Sequence, residues 1–357
     1  MPIPSIDVIF QKLAVTAVQR SERGVLAMVI KDATAAVGTK IYTTLSGVTS
    51  SDYSAASYKM ITQAFDVNLA TLIVVNIGTA SGANFESAIT LLEPLGYNWL
   101  VVTESTLQAA AVSYVKSYNT SSPYHKIKLL TCGQTAVDDW HIVNIPNTNA
   151  KVGTDTATTS MEKLLPYIGA VLCSCPMTRS VTGYKLGLLS EVSSVADISA
   201  SIDAGNMPLF RDVDGSIRIS RGVNTLTTVT EYSPADFKKI TIAEGVDLML
   251  EDITVTFKDN YRGVYKNTAD NQALFISSVL AYFRQLEKEY VLNSDFENKV
   301  DVDIDAQKAA WTAAGTDTSS WTDAQAKRKT YGSCVYLTGN VLMLDAMEDL
   351  RFVINMY

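Results

Sequence analysis

Between residues 31 and 203 the hydrophobic positions follow two rhythms in turn. TLIVVNIG (71–78), WLVVT (99–103), KIKLLTC (126–132) and HIVNIPN (141–147) are short apolar runs, the pattern of strands buried on both faces. FESAITLLEPLGYN (85–98), TLQAAAVSYVKSYN (106–119) and MEKLLPYIGAVLCS (161–174) place apolar residues three or four apart, which reads as helix. VLAMVI (25–30) adds a buried strand in front. Strand and helix alternating at this spacing predict a mainly parallel sheet with helices packed on it. The polar stretch SEVSSVADISAS (190–201) closes this α/β domain at about residue 205.

The last third changes character. Asp214 and Gly215 predict a hairpin turn, with GSIRISRGVNTLTTV (215–229) and DFKKI (236–240) as strands. Ile242, Val246, Met249, Leu250, Ile253, Phe257 and Tyr261 share one face of a long helix. Phe275, Val279, Phe283, Leu286 and Tyr290 form the stripe of a second, with Thr268 or Asp270 as its cap. Residues 300–331 read as a surface excursion anchored by Trp311 and Trp321. Both chain ends alternate like strands without an obvious partner. Ile6, Val8 and Phe10 stand on one side of an N-terminal arm over residues 1–20. Leu350, Phe352, Ile354 and Met356 do the same on a C-terminal arm over 346–357. Most chain ends are polar and fray; an apolar one needs a sheet to join.

At 357 residues the chain is longer than one core usually serves. Its net charge of −8 argues against nucleic-acid binding, which needs a basic surface. The two short basic clusters, Lys126 with Lys128 and Lys327 to Lys329, read as solvated surface. The opening residues lack a signal-peptide pattern, and no apolar run approaches the roughly 20 residues that span a bilayer. Four cysteines at irregular spacing read as reduced thiols made in a cytoplasm.

Catalytic chemistry finds little support. Neither GxGxxG nor GxxxxGKS/T occurs, and the Ile77–Gly82 loop lacks the lysine and glycine spacing of a phosphate cradle. His125 and His141 have no nucleophile in a recognised arrangement beside them. Cys173 and Cys175 make a lone CxC, which is neither a redox nor a zinc pattern by itself. Asp301, Asp303 and Asp305 alternate on one predicted strand face, without the glycine and glutamate of a calcium loop. These readings assign no catalytic, cofactor or metal residues.

Several features, in order, carry a family resemblance: QRSERGVLAMVIKDAT (19–34), RISRGVNTLTT (218–228), DFKKI, the first long helix, YRGVYKN (261–267), the second helix, and the closing DAMEDLRFVINMY (345–357). Together they resemble contractile tail sheath proteins of phages and phage-tail-like bacteriocins. The resemblance implies an α/β and α+β architecture: an outer α/β domain (21–205), an inner, tube-facing sheath C-terminal α+β domain (206–345), and the two strand arms. It implies no enzyme and no cofactor. The implied partners are further copies of the chain in six-fold rings stacked helically, a tail tube protein, a baseplate and a tail terminator, with no nucleic acid or membrane insertion. By analogy, Arg284 and Lys288 on the second helix are the expected tube contacts. The implied location is a phage tail or tail-like particle, assembled after synthesis in a bacterial cytoplasm.

The alternative from another class is a cytoplasmic oligomeric α/β enzyme or nucleotide- or sugar-binding protein. It predicts discrete particles and a pocket with convergent polar groups. A sheath predicts polymers.

Overall fold

The computed structural model describes residue 18 and residues 23–356. The expected N-terminal arm, with Ile6, Val8 and Phe10, lies outside the described residues. The chain divides into two compact units, an α/β unit of residues 23–251 with 344–356, and a helical unit, Asp252–Met343. The boundary expected at 205/206 falls inside the first of these.

In the α/β unit, β1 (Val25–Ile30), β2 (Gly38–Tyr42), α1 (Ala55–Ala64), β3 (Thr71–Asn76), α2 (Phe85–Leu92), β4 (Trp99–Val102), α3 (Ser105–Ser121), β5 (Lys128–Cys132) and β6 (Ile142–Ile145) follow in order. They build a six-stranded sheet in the order β2-β3-β1-β4-β5-β6. Every pairing is parallel except β2 with β3. Successive side chains of a strand point to opposite faces, and β1 shows the consequence. Leu26, Met28 and Ile30 enter a core with Met60 and Ile61 of α1, whereas Val25, Ala27 and Val29 enter another with Phe85, Ala88 and Leu92 of α2. All six are buried, which is why the run is continuously apolar.

Next come β7 (Asn149–Val152), β8 (Thr159–Ser160), α4 (Leu165–Ser174), β9 (Leu189–Val192), α5 (Ile198–Asp203), β10 (Leu209–Arg211) and β11 (Ile217–Ile219). The stretch expected only to close the domain thus contains most of β9 and of α5. α4 is buried along nearly its whole length. β10 and β11 form the expected hairpin, and Gly215 takes a positive φ of 81° in its turn. Only Ile217–Ile219 of the longer predicted strand pairs within it. The edge of β6 is closed by main chain, since Thr225 N donates to Ile142 O and Met207 N to Asn144 O, each at 2.8 Å.

DFKKI is not a strand. Ala235–Lys238 is a 3-10 turn, with Pro234 at φ −64° before it and Phe237 N donating to Pro234 O. Proline presets this turn geometry and removes a ladder donor. The chain then enters α6 (Ile240–Thr256), within which the division between units falls, and passes through a π-helical turn at Phe257–Tyr261.

The helical unit continues with α7 (Ala269–Lys288), β12 (Lys299–Val302), α8 (Ile304–Ala313), α9 (Asp323–Arg328) and β13 (Leu337–Asn340). Thr268 caps α7 by accepting from Asn271 N. Phe275, Val279, Phe283 and Leu286 are buried, but Tyr290 is exposed beyond the helix end. Trp311 and Trp321 meet edge-on with ring centroids 6.0 Å apart. The three aspartates do not share a strand face: Asp301 lies in β12, Asp303 caps α8, and Asp305 sits in its first turn. The N-cap preference of aspartate ended the strand early.

Candidate assembly surfaces

The alternative reading needs a ligand site where the strand order reverses around β1, at the carboxyl ends of the strands. That position is filled by internal bonding. Asp32, 2% exposed, accepts from Thr34 N, Ala35 N and Ser54 N. Despite the opposing effect of desolvation, the Ser54 and Ser57 hydroxyls with the Ala35 and Ser54 amides hold its carboxyl well below the usual carboxylate range. Asn76 accepts from Asp32 N and Gly78 N. The Asn84 side chain satisfies the N-terminus of α2 by accepting from Ser87 N at 3.1 Å.

The charged groups collect at the opposite end of the strands. Glu244, Asp247 and Glu251 lie on one face of α6 at i, i+3 and i+7. Lys128, at the start of β5 and only 2% exposed, pairs with Asp247 and lies 3.4 Å from Glu244. Arg23 Nη1 is 3.3 Å from Glu244, and Trp99 Nε1 donates to the same carboxylate at 2.7 Å. Lys128 was expected on the surface. It is buried because its partner, 119 residues away, neutralises it there. Lys126 donates to Asn119 O and Ser122 O.

The two histidines belong to this cluster. His125 places Nδ1 2.7 Å from Glu251 Oε1 and Nε2 2.7 Å from Tyr97 O. Both ring nitrogens face acceptors, so the geometry suits the doubly protonated ring. His141 lies 3.3 Å from Asp247 and 3.4 Å from Asp139. Burial opposes charging of both rings, but the carboxylates outweigh it, Glu251 at His125 and Asp139 with Asp247 at His141, so both stay protonated above the ordinary pH. Their roles are structural.

Cys173 is buried and Cys175 half-buried at the end of α4, both as free thiols that burial pushes up. Among the described residues no group of side chains is arranged to hold a metal ion, and no helix is long and apolar enough to cross a membrane.

Two surfaces do call for partners. The first is the chain end. Residues 344–356 form no strand among the described residues, and Leu350, Phe352, Ile354 and Met356 are 91%, 75%, 70% and 92% exposed. The expected strand is absent from the single chain, although its alternating sequence is intact. The second is the sheet of β12 and β13, an antiparallel pair in which neither strand has another strand neighbour among the described residues. Arg284 and Lys288 are exposed on α7, and no ion pair engages either among the described residues. An aromatic cleft of ≈ 530 Å³ in the same unit is lined by Phe257, Tyr261, Phe275 and Lys266 among others.

Comparison with known proteins agrees with the resemblance read from the sequence. Residues 232–356 match the phage tail sheath C-terminal domain. A tail sheath protein of Clostridium phage phiCD119 is 28% identical over 99% of both chains. A sheath tail protein from Desulfitobacterium hafniense shares the fold at a TM-score of 0.69 and 15% identity, over 84% of this chain and 94% of that one. So does the contracted PVC sheath of an extracellular contractile injection system, at 0.69 and 9% identity, over 100% and 98%. With the phage tail sheath C-terminal domain matched over residues 232–356 and a tail sheath protein similar along its whole length, the chain resembles the contractile tail sheath proteins, which are structural proteins rather than enzymes.

Proposed function

We propose that the chain polymerises by strand exchange. The tail from Leu350 onward adds to an open edge of the β12–β13 sheet of a neighbouring copy, and the N-terminal arm expected over residues 1–20 is the second arm. The observation that carries this reading is the exposed alternating tail in a molecule that also offers an unpaired sheet edge. Main-chain hydrogen bonds supply affinity in such an addition, and alternate side chains supply register. A strand rises about 3.3 Å per residue, so the eight residues from Leu350 reach about 26 Å when extended, enough to lie along the edge of a neighbour's sheet. Contacts of this head-to-tail kind generate rings or helical filaments.

The resemblance to tail sheath proteins supports six-fold rings stacked helically around an inner tube. Arg284 and Lys288 present exposed cations for acidic tube residues. Contraction moves the bodies while the exchanged strands hold; a contracted state is known for a similar sheath. The finished sheath meets a baseplate at one end and a terminator at the other, after synthesis in a bacterial cytoplasm.

Negative-stain electron microscopy tests this directly. The full chain is expected to form hollow tubes of uniform width. A variant lacking residues 350–357 is expected to stay as discrete particles with an unchanged melting temperature. Tubes from the truncated chain would overturn the reading.

A further inference from the structure

The C-terminal segment is free only in part. Glu348 is 5% exposed at its side chain, among neighbours that are almost fully exposed. Its Oε1 accepts from Ser180 Oγ at 2.8 Å and Thr182 Oγ1 at 2.7 Å. Its Oε2 lies 3.5 Å from Lys239 Nζ and 3.7 Å from Arg221 Nε. On either side, Asp345 pairs with Lys239 and Asp349 with Arg221.

The receiving residues are prepared for a carboxylate. Thr182 N donates to Ser180 Oγ, and Gly222 N donates to Thr182 Oγ1. Each hydroxyl oxygen therefore has an acceptor site filled by main chain, which directs its own proton toward Glu348. Gly222 is required at this spot, because a Cβ there would meet Val181 Cγ2 at 2.7 Å. Two hydroxyl donors and two cations converging on one carboxylate make a strong anion site.

We propose that Ser180, Thr182, Arg221 and Lys239 form a receptor cup for the acidic stretch 345–349, and that it fixes where the C-terminal arm leaves its own subunit. The lever free to reach a neighbour then begins at Leu350. The cup belongs to the α/β unit, so the arm is an extension of that unit, although the chain preceding it belongs to the helical one. This function of the cup rests on the strand-exchange reading, but its existence does not.

Limited chymotrypsin digestion of the unassembled full chain, with fragments mapped by mass spectrometry, tests the cup. In the natural sequence cleavage is expected after Leu350 and Phe352 first, with Leu344 spared. Glu348→Ala leaves the cations unpaired and is expected to speed cleavage after Leu344 by about tenfold or more, the loss of a charge-assisted hydrogen bond. Glu348→Gln keeps an acceptor for the two hydroxyls and is expected to fall between. Arg221→Gln loosens the cup from its other side and serves if the alanine variant fails to fold.

Unchanged cleavage after Leu344 in a folded Glu348→Ala or Arg221→Gln variant would overturn the proposal. So would equal cleavage after Leu344 and Leu350 in the natural sequence. Deleting residues 350–357 separates the two ideas. It is expected to remove tubes while Leu344 stays protected. Surviving tubes with Leu344 protected would reject strand exchange and leave the cup standing.

Discussion

At the base of the sheet, charged side chains are buried; at the end of the chain, apolar side chains are exposed. Each region reverses the ordinary sorting of residues, and for opposite reasons. Lys128, Asp247 and His141 leave water because their partners lie within the same unit. Phe352 and Ile354 stay in water because no described residue of the single chain covers them. An inversion satisfied internally is architecture. One left unsatisfied in the single chain points outside it, since contiguous exposed apolar surface marks an interaction site.

The comparison breaks first at Lys128. Lys128→Ala leaves Asp247 and Glu244 without their buried cation, and removing one partner of a buried pair costs about 3–5 kcal/mol. Urea unfolding is expected to show that loss; a loss below about 1 kcal/mol would mean that the cluster is hydrated and ordinary.

The pH dependence sharpens it next. Both histidines have folded pKa values raised above the unfolded value of about 6.5. Their contribution is therefore complete below pH 6.5 and is lost as pH rises through the folded values. Stability is expected to fall on the alkaline side of pH 6.5, with a smaller slope in a His125→Gln, His141→Gln double variant. At the acid end, desolvation of Asp247 works against its charge, but Lys128 and His141 prevail and depress its pKa. Its contribution is present above its unfolded value of about 3.8 and is lost as pH falls well below that.

At the other pole, Phe352→Asp with Ile354→Asp is expected to change the stability of the single chain by less than about 0.5 kcal/mol while abolishing tubes. A large stability loss would mean that the tail packs on its own subunit. The smallest effect belongs to Asp301→Ala. Its pair with Lys327 is half-exposed on both sides, and such pairs contribute about 0–1 kcal/mol. Arg284→Glu with Lys288→Glu is expected to leave self-assembly intact and to abolish tube attachment, read as sheath without tube in co-sedimentation.

The sheet was legible because its signal is local. A run such as VLAMVI can satisfy six buried positions only as a strand covered on both faces. The helices α6 and α7 were legible by their stripes for the same reason. What escaped was pairing across distance. Lys126 and Lys128 look alike in sequence, yet one ends on main-chain carbonyls and the other in a buried ion pair 119 residues away. A usable signal existed in α6, whose sequence holds Glu244, Asp247, Glu251 and Asp252 with no basic residue before Lys258. Carboxylates that close together need cations from elsewhere in the fold. The cup at Glu348 was missed likewise, because its donors come from three separate loops. The tail's alternation was read as a strand, and no strand forms over residues 344–356 in the single chain; under the strand-exchange proposal, its partner is another copy.

The anchored root has a consequence for avidity. Eight residues, Leu350 to Tyr357, remain beyond the cup. A random chain of eight residues spans on the order of 16 Å root-mean-square. A short tether of this kind holds its free end at an effective concentration on the order of millimolar near a docked neighbour. Under the strand-exchange proposal, an arm that slips from its groove therefore meets the same groove again before any competitor in solution does. Each junction can be individually weak and still exchange nothing with its surroundings.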